Sequence, residues 1–137
     1  MKNYKFCEIK VGAEDKFITI IKNSQINTFS EISGDKNIIH LDKKKAKKKK
    51  FKDRVVHGAF IFSLFSKLIG TKIPGNNALI LNINLKFHNP AYPNKEIYII
   101  GTVKEKYNSV SSILLDLVAK YKNGKLIASG NTIIKLL

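Results

Sequence analysis

Asp35 and His40 lie five residues apart in the segment SGDKNIIHLD, which has no repetitive hydrophobic pattern. An aspartate and a histidine can act as general acid and general base when their surroundings adjust their pKa values. Gly58 opens the apolar stretch GAFIFSLFSKLIG further along the chain. If that stretch is a helix, its first N–H groups and the positive end of its dipole can stabilise a developing negative charge. These residues therefore indicate an acid–base site beside a helix N-terminus.

Spacing alone leaves simpler interpretations of these residues open. An aspartate that follows Ser-Gly is commonly a turn or capping residue, and a histidine in a loop is commonly only solvated. His57 is a candidate either to contact a substrate or to fix a loop by a hydrogen bond. His88 falls on the polar face of a predicted strand, where a structural or exposed position is expected.

The apolar stretch after Gly58 predicts a buried helix that extends to Gly70. Its apolar side chains recur at i, i+4 and i+8 in two adjacent rows, which are Phe60, Leu64 and Leu68, and Ile61, Phe65 and Ile69. Phe62 widens this stripe, so the helix is apolar around most of its circumference. A helix of this kind must be covered by the rest of the protein.

Strands are predicted around this helix. The segment ALILNINLKF (78–87) alternates with period two, which places Leu79, Leu81, Ile83, Leu85 and Phe87 on one face. The remaining predicted elements are a strand at 16–22, a helix from about 23 to 33, a loop at 35–41, a short exposed helical turn at 43–50, and strands at 95–107, 109–122 and 125–136. The order β-α-β-β-β-β predicts an α+β fold in which an antiparallel sheet wraps around one long central helix.

The composition predicts one globular domain that spans residues 1–137. The chain carries 25 basic and 10 acidic residues, a formal net charge of +15. Arg54 is the only arginine among the basic residues, although arginine is the preferred partner where phosphate is recognised by geometry. Together with the absence of an aromatic-rich basic strand or recognition helix, this argues against nucleic-acid binding. The excess charge can instead reflect a coding bias towards lysine, or it can attract an anionic substrate or an acidic carrier protein.

A single cysteine, Cys7, permits neither an internal disulfide nor a cysteine-based metal cluster. The opening residues MKNYKFCEIKVG have no apolar core of a signal peptide, and no segment approaches the ~18–20 apolar residues that span a bilayer. We therefore expect a cytoplasmic protein with no metal and no membrane partner.

The segment SGDKNIIHLD, followed by VHGAFIFSLFSKLIG, resembles the hydratase motif of MaoC-like proteins, the (R)-specific enoyl-CoA hydratases of the hot-dog fold. The downstream residues PG…LNINLKFHNPAYPNKEIYIIGTV also resemble that family, so the likeness extends from about Phe29 to Val103. Ile38 stands where the family usually has proline, and the spacing from Asp35 to His40 is unchanged.

The resemblance implies roles for individual residues. Asp35 and His40 match the catalytic pair, and Gly58 matches the glycine whose N–H binds the thioester oxygen. Ser66 matches a serine that lines the acyl site, and its alternative is a hydroxyl bonded to the preceding turn of its helix. Asn37 and His57 are further candidates for substrate contacts.

The resemblance also implies an activity and partners. The expected reaction is addition of water across a trans-2-enoyl thioester of coenzyme A or an acyl carrier protein, without a cofactor, in a homodimer. A thioesterase on the same fold is one alternative, and it would need a nucleophile or carboxylate on the central helix. A non-catalytic module that binds acyl thioesters is the other. Arg54 could bind a phosphate of coenzyme A or pair with Asp42 or Asp53.

Overall fold

The computed structural model describes all residues from 1 to 137. Its strands are β1 (Glu14–Ile20), β2 (Ala78–Phe87), β3 (Glu96–Tyr107), β4 (Ser112–Tyr121) and β5 (Leu126–Leu136). Its α-helices are α1 (Asn23–Ser33), α2 (Ile38–Leu41), α3 (Lys43–Lys48) and α4 (Gly58–Thr71). Short 3₁₀ turns precede β1 at Phe6–Glu8 and join β3 to β4 at Asn108–Val110.

The five strands form one antiparallel sheet in the order β1-β3-β4-β5-β2. β1 and β2 follow one another among the strands of the chain, yet they form opposite edges of the sheet. The crossover between them contains all four α-helices. An antiparallel sheet around a long central helix is the predicted architecture.

The inner side of α4 packs on the sheet and buries Ile61, Leu64, Phe65, Leu68 and Ile69. β3 approaches this helix closely at Gly101, where an added Cβ would lie 2.8 Å from Leu68 Cδ2. These side chains belong to one core of 22 buried residues. Burial of apolar surface contributes ~25 cal/mol per Å², so this helix–sheet contact stabilises the fold.

The outer side of α4 is less covered than the sequence predicts. Phe62 is exposed, and so is Ser66 one turn later. Nothing in a single chain packs over this face, so the expected burial applies only to the side of the helix that meets the sheet.

β2 departs from the predicted alternation. The pairing register with β5 shifts between Ile80 and Asn82, which marks a β-bulge around Leu81. A one-residue shift exchanges the two faces of a strand. Leu79 and Leu81 are therefore 46% and 54% exposed, whereas Ile83 is half-buried.

Two further predictions need correction. The region 35–41 is not entirely a loop, because Asn37 Oδ1 accepts a bond from Ile39 N–H and caps the short helix α2. β4 begins at Ser112 and not at residue 109, because the 3₁₀ turn ends at Ser111 in a left-handed conformation with φ 48°. None of the helices combines the length and apolarity that a bilayer crossing requires.

Candidate active site

His40 lies on α2 and is almost completely buried. Its Nδ1 is 2.6 Å from the carbonyl oxygen of Val55. A carbonyl only accepts hydrogen bonds, so Nδ1 carries the proton and Nε2 keeps its lone pair. The main-chain carbonyl of Val55, three residues before α4, thus fixes the tautomer that a general base needs.

Asp35 lies just after α1, whose C-cap residue Gly34 has a left-handed conformation with φ 75°. Its side chain is 51% exposed, and Oδ2 is 3.8 Å from His40 Nε2. This distance is too long for a direct hydrogen bond, and one water molecule can contact both atoms. Asp35 Oδ1 also accepts a bond from Asn37 N–H at 3.1 Å, which limits rotation of the carboxylate.

His57 is 1% exposed and lies behind His40, outside the wall of the site cavity. Its Nε2 donates to the carbonyl oxygen of Asp35 at 3.0 Å, and the hydroxyl of Ser30 donates to the same oxygen at 2.6 Å. The rings of His57 and His40 stack with centroids 3.8 Å apart. His57 therefore fixes the loop that carries Asp35, which was one of its two expected roles.

Arg54 connects the site to α1. Its Nε donates to the carbonyl oxygen of His40, and its terminal nitrogens donate to the side chains of Asn23 and Asn27. It forms no ion pair with Asp42 or Asp53, so that expected pairing is wrong. Asp42 instead caps α3 through Lys45 N–H, and Asp53 pairs with Lys43.

The pKa of His40 lies below its ordinary value, mainly because burial disfavours the charged imidazolium. The bond to Val55 opposes this effect and the nearby His57 adds to it, while Asp35 favours the charged form. The net direction keeps His40 neutral near pH 7. A neutral imidazole with a free Nε2 can accept a proton from water.

Gly58 is the first residue of α4, so its N–H has no partner within the helix. It donates to no other backbone or side-chain group either. An added Cβ would lie 3.1 Å from Cζ of Phe87, a tight contact that the ring could relieve only by moving a few tenths of an ångström. The positive end of the helix dipole adds to the attraction for negative charge here.

These groups meet at a cavity of about 320 Å³. His40 and Gly58 line it together with Phe87 and His88, while Asp35 lies beside it without lining it. The opposite wall is apolar and includes Ile61 and Ile127. A general base, a carboxylate and a free N–H beside an apolar cavity suit proton transfer on a substrate with an acyl chain.

The sequence model of the MaoC like domain matches residues 8–120. The chain belongs to this family.

The chain is similar in sequence to dehydratases and in structure to hydratases. The 3-hydroxybutyryl-CoA dehydratase of Methylorubrum extorquens is 34% identical over 85 residues, which cover 62% of this chain and 54% of that protein. The mitochondrial 3-hydroxyacyl-[acyl-carrier-protein] dehydratase of Arabidopsis thaliana is 33% identical over 89 residues, which cover 65% and 52%. This MaoC-like chain therefore spans a little over half the length of these curated relatives.

A solved structure, the (R)-hydratase from Aeromonas caviae involved in PHA biosynthesis, has a TM-score of 0.91 and 26% identity to this chain. The likeness covers 95% of this chain and 98% of that one. It confirms the predicted hot-dog fold.

Several predicted site residues do not face the cavity. The side chain of Asn37 caps α2 and is otherwise exposed, and Ser66 is exposed on the outer side of α4. Their substrate contacts, like that of His57, stay predictions. The sequence did not predict Phe87 and His88 in the cavity wall, or the hydrogen bonds by which Arg54 links the His40 segment to α1. The proline-containing turn after β2 is the one sequence feature that points to Phe87 and His88, and no sequence feature points to the role of Arg54.

Asp35, His40 and His57 place potential metal-binding atoms within 4.8 Å of one another. Zinc binds histidine in the plane of the ring at ~2.0–2.1 Å. The two stacked rings are inclined by only 25° at a 3.8 Å centroid separation, so their planes meet well beyond that distance. One ion therefore cannot bind both rings with good geometry, and the arrangement suits proton transfer better than chelation.

Proposed function

We propose that this MaoC-like protein catalyses reversible addition of water across the double bond of a trans-2-enoyl thioester, which forms an (R)-3-hydroxyacyl thioester. The observation that best supports this proposal is the position of His40 Nε2. It lies 3.8 Å from Asp35 Oδ2, beside the N–H of Gly58, which has no hydrogen-bond partner. The names of the relatives, which include an (R)-hydratase and two dehydratases, support the same reaction.

In the hydration direction, His40 Nε2 and the Asp35 carboxylate orient one water molecule. Its oxygen forms a bond to the β-carbon while the pair removes a proton from it. Electron density moves from the double bond to the thioester oxygen, and the Gly58 N–H stabilises the resulting enolate. A proton returned by the pair to the α-carbon completes the syn addition. Loss of one such oxyanion donor typically costs about 3–4 kcal/mol of barrier.

The reaction transfers one water molecule and changes no net oxidation state, so we propose that it proceeds without a cofactor. The thioesterase alternative would need a nucleophile or carboxylate on the central helix. α4 carries no carboxylate, and Ser63 donates its hydroxyl to the carbonyl oxygen of Phe60. A non-catalytic binding module would not require a histidine whose tautomer is fixed so that Nε2 can accept a proton.

The test is hydration of crotonyl-CoA, followed by loss of enoyl absorbance. Asp35→Asn and His40→Ala are each expected to lower kcat by about 10²–10⁴-fold, since general acid–base catalysis contributes factors of that size. Asp116→Asn is a matched control, because Asp116 pairs with Lys104 on the sheet and is outside the site. Equal rates for wild type, Asp35→Asn and His40→Ala would refute the proposal. Release of free thiol would favour the thioesterase.

We also propose a homodimer in which the β2 edges of two subunits pair and make the sheets continuous. β2 is a ten-residue edge strand, and it exposes Leu79 and Leu81. A long edge strand with exposed apolar side chains invites pairing with another chain. A subunit that also covers the outer side of α4 would enclose Ser66. Leu79→Lys combined with Leu81→Lys is expected to yield monomers in sedimentation velocity, and an unchanged sedimentation coefficient would refute this interface.

The expected cytoplasmic location and the absence of nucleic-acid and membrane partners stay part of this proposal.

A further inference from the structure

A second cavity, of about 560 Å³, opens on the surface beside the turn before β3 and the β4–β5 hairpin. We call it the lysine groove, since its wall includes Lys52, Lys95, Lys122 and Lys125, with Tyr92 and Tyr121 between them. Its volume is in the range of small-molecule sites.

The lysine groove has a strong excess of positive charge. None of its four lysines has a carboxylate within ion-pair distance, and all four are exposed. Glu96 is the only acidic residue in its wall. Lys50 and Lys49 lie two and three residues before Lys52 in the chain and are exposed as well.

The wall of the groove is built by a chain of hydrogen bonds. Lys52 N–H donates to the phenol oxygen of Tyr92 at 3.2 Å, and Tyr92 N–H donates to that of Tyr121 at 3.0 Å. The Tyr121 hydroxyl then donates to the carbonyl oxygen of Pro90 at 2.9 Å. The lysines therefore surround a fixed aromatic wall.

Pro90 lines both the lysine groove and the catalytic cavity. The two cavities thus adjoin at one residue, whose position Tyr121 fixes. A ligand that occupied both would need a reactive group at one end and several negative charges at the other.

We propose that the lysine groove binds the phosphate groups at the nucleotide end of a coenzyme A thioester, while its acyl end occupies the catalytic cavity. Lysine ammonium groups bind phosphate as point charges, and Tyr92 offers an aromatic surface beside them. A concave site of this size suits a phosphorylated nucleotide better than the convex surface of an acidic carrier protein. This inference rests on the proposed hydratase activity and names coenzyme A as the carrier of its substrate.

The direct test is calorimetric binding of adenosine 3′,5′-bisphosphate, which needs no catalysis. Lys122→Gln combined with Lys125→Gln is expected to weaken binding at least tenfold. Lys10→Gln combined with Lys135→Gln is the charge-matched control, since these exposed lysines lie outside both cavities. Equal affinities for the two variants, or no binding by the wild type, would overturn the proposal.

A kinetic test separates this inference from the proposed function. The wild type is expected to hydrate crotonyl-CoA with a KM at least tenfold lower than that for crotonyl-pantetheine, which lacks the nucleotide. The groove variant is expected to lose this difference while kcat stays within twofold. Hydration of both substrates with equal KM by the wild type would refute nucleotide binding in the lysine groove and leave the hydratase proposal intact. A clear preference for a crotonyl carrier protein would have the same meaning. Bisphosphate binding without hydration of any thioester would support the groove and refute the hydratase.

Discussion

His40 and His57 are linked reciprocally. Their rings stack with centroids 3.8 Å apart, and each donates a hydrogen bond to a main-chain carbonyl of the other's segment. His40 donates to Val55, two residues before His57, and His57 donates to Asp35, five residues before His40. The two stretches of chain that carry the proposed catalytic groups therefore fix each other's position.

This link predicts a kinetic effect for a residue outside the cavity wall. His57→Phe keeps an aromatic ring for the stack and removes the bond to Asp35. We expect kcat to fall about tenfold to a hundredfold with little change in KM, because displacement of a catalytic group by about 1 Å can cost a hundredfold. The measurement is steady-state hydration of crotonyl-CoA by variants whose folding is verified by circular dichroism.

Ser30→Ala supplies the comparison, since it removes the other bond to the same carbonyl oxygen of Asp35. Ser30→Ala should lower kcat less than His57→Phe does, and the double variant should have a lower kcat than either single variant. A His57→Phe enzyme with wild-type kcat would show that the link has no catalytic role.

The lowered pKa of His40 predicts the acid limb of the activity profile. We expect kcat/KM to stay constant as the pH falls to about 6.5, the ordinary value for histidine, and to decline only below it. A profile of kcat/KM from pH 4.5 to 8 measures this limb. A midpoint above pH 6.5 would contradict a neutral, desolvated base.

The same pKa direction has a consequence for stability. Above about pH 6.5 His40 is neutral in both the folded and unfolded chains, so it contributes no pH dependence. As the pH falls below that value the unfolded chain takes up the proton first, and the free energy of unfolding decreases until the folded-state pKa is passed. Urea titrations of wild type and His40→Gln should diverge in this window. Parallel pH curves for the two proteins would exclude the effect.

The contact between Gly58 and Phe87 predicts a rescue. Gly58→Ala places a methyl group 3.1 Å from the ring of Phe87, so the ring must shift by a few tenths of an ångström. We expect kcat/KM to fall about tenfold or more, although the N–H itself is retained. The double variant Gly58→Ala with Phe87→Leu should have a kcat/KM close to that of Phe87→Leu alone, because the smaller leucine leaves room for the methyl group. Absence of any rescue would mean that the methyl group blocks the substrate and does not displace Phe87.

Gly101 and Gly70 predict opposite effects on stability. An added Cβ at Gly101 lies 2.8 Å from Leu68, whereas nothing lies within 4 Å of one at Gly70 in α4. Overpacking typically costs about 1–3 kcal/mol, and alanine in place of glycine within a helix gains about 0.5–1 kcal/mol. Chemical denaturation should therefore show Gly101→Ala less stable and Gly70→Ala at least as stable as the wild type. Similar midpoints for both variants would refute the close approach of β3 to α4.

The elements with strong periodicity were predictable from the sequence. α4 begins at Gly58 as its apolar rows indicate, and β2 has the predicted bounds of residues 78–87. The bulge in β2 was not predictable, since Leu79 and Leu81 fit the alternating pattern as well as Ile83 does. Its position depends on pairing with β5, a tertiary contact that a local pattern does not contain.

The site shows the same division. The resemblance predicted Asp35, His40 and Gly58 as site residues, and the structure brings the Asp35–His40 segment close to the start of α4. The supporting contacts of Arg54 and Val55 were not predictable, because a main-chain carbonyl acts here as the acceptor for His40 whatever its side chain is.

The crossover between the two edge strands has a consequence for the order of folding. β3, β4 and β5 are joined by short turns, so their pairing closes small loops, whereas placing β1 and β2 on opposite edges closes a long one. We expect the three-stranded meander to form early and the crossover helices to dock late, which hydrogen-exchange pulse labelling during refolding would resolve. Early protection of α1 and α4 would contradict this order. Recovery of the proposed hydration activity would then report the final step of folding, and a chain with a largely formed sheet would still be inactive.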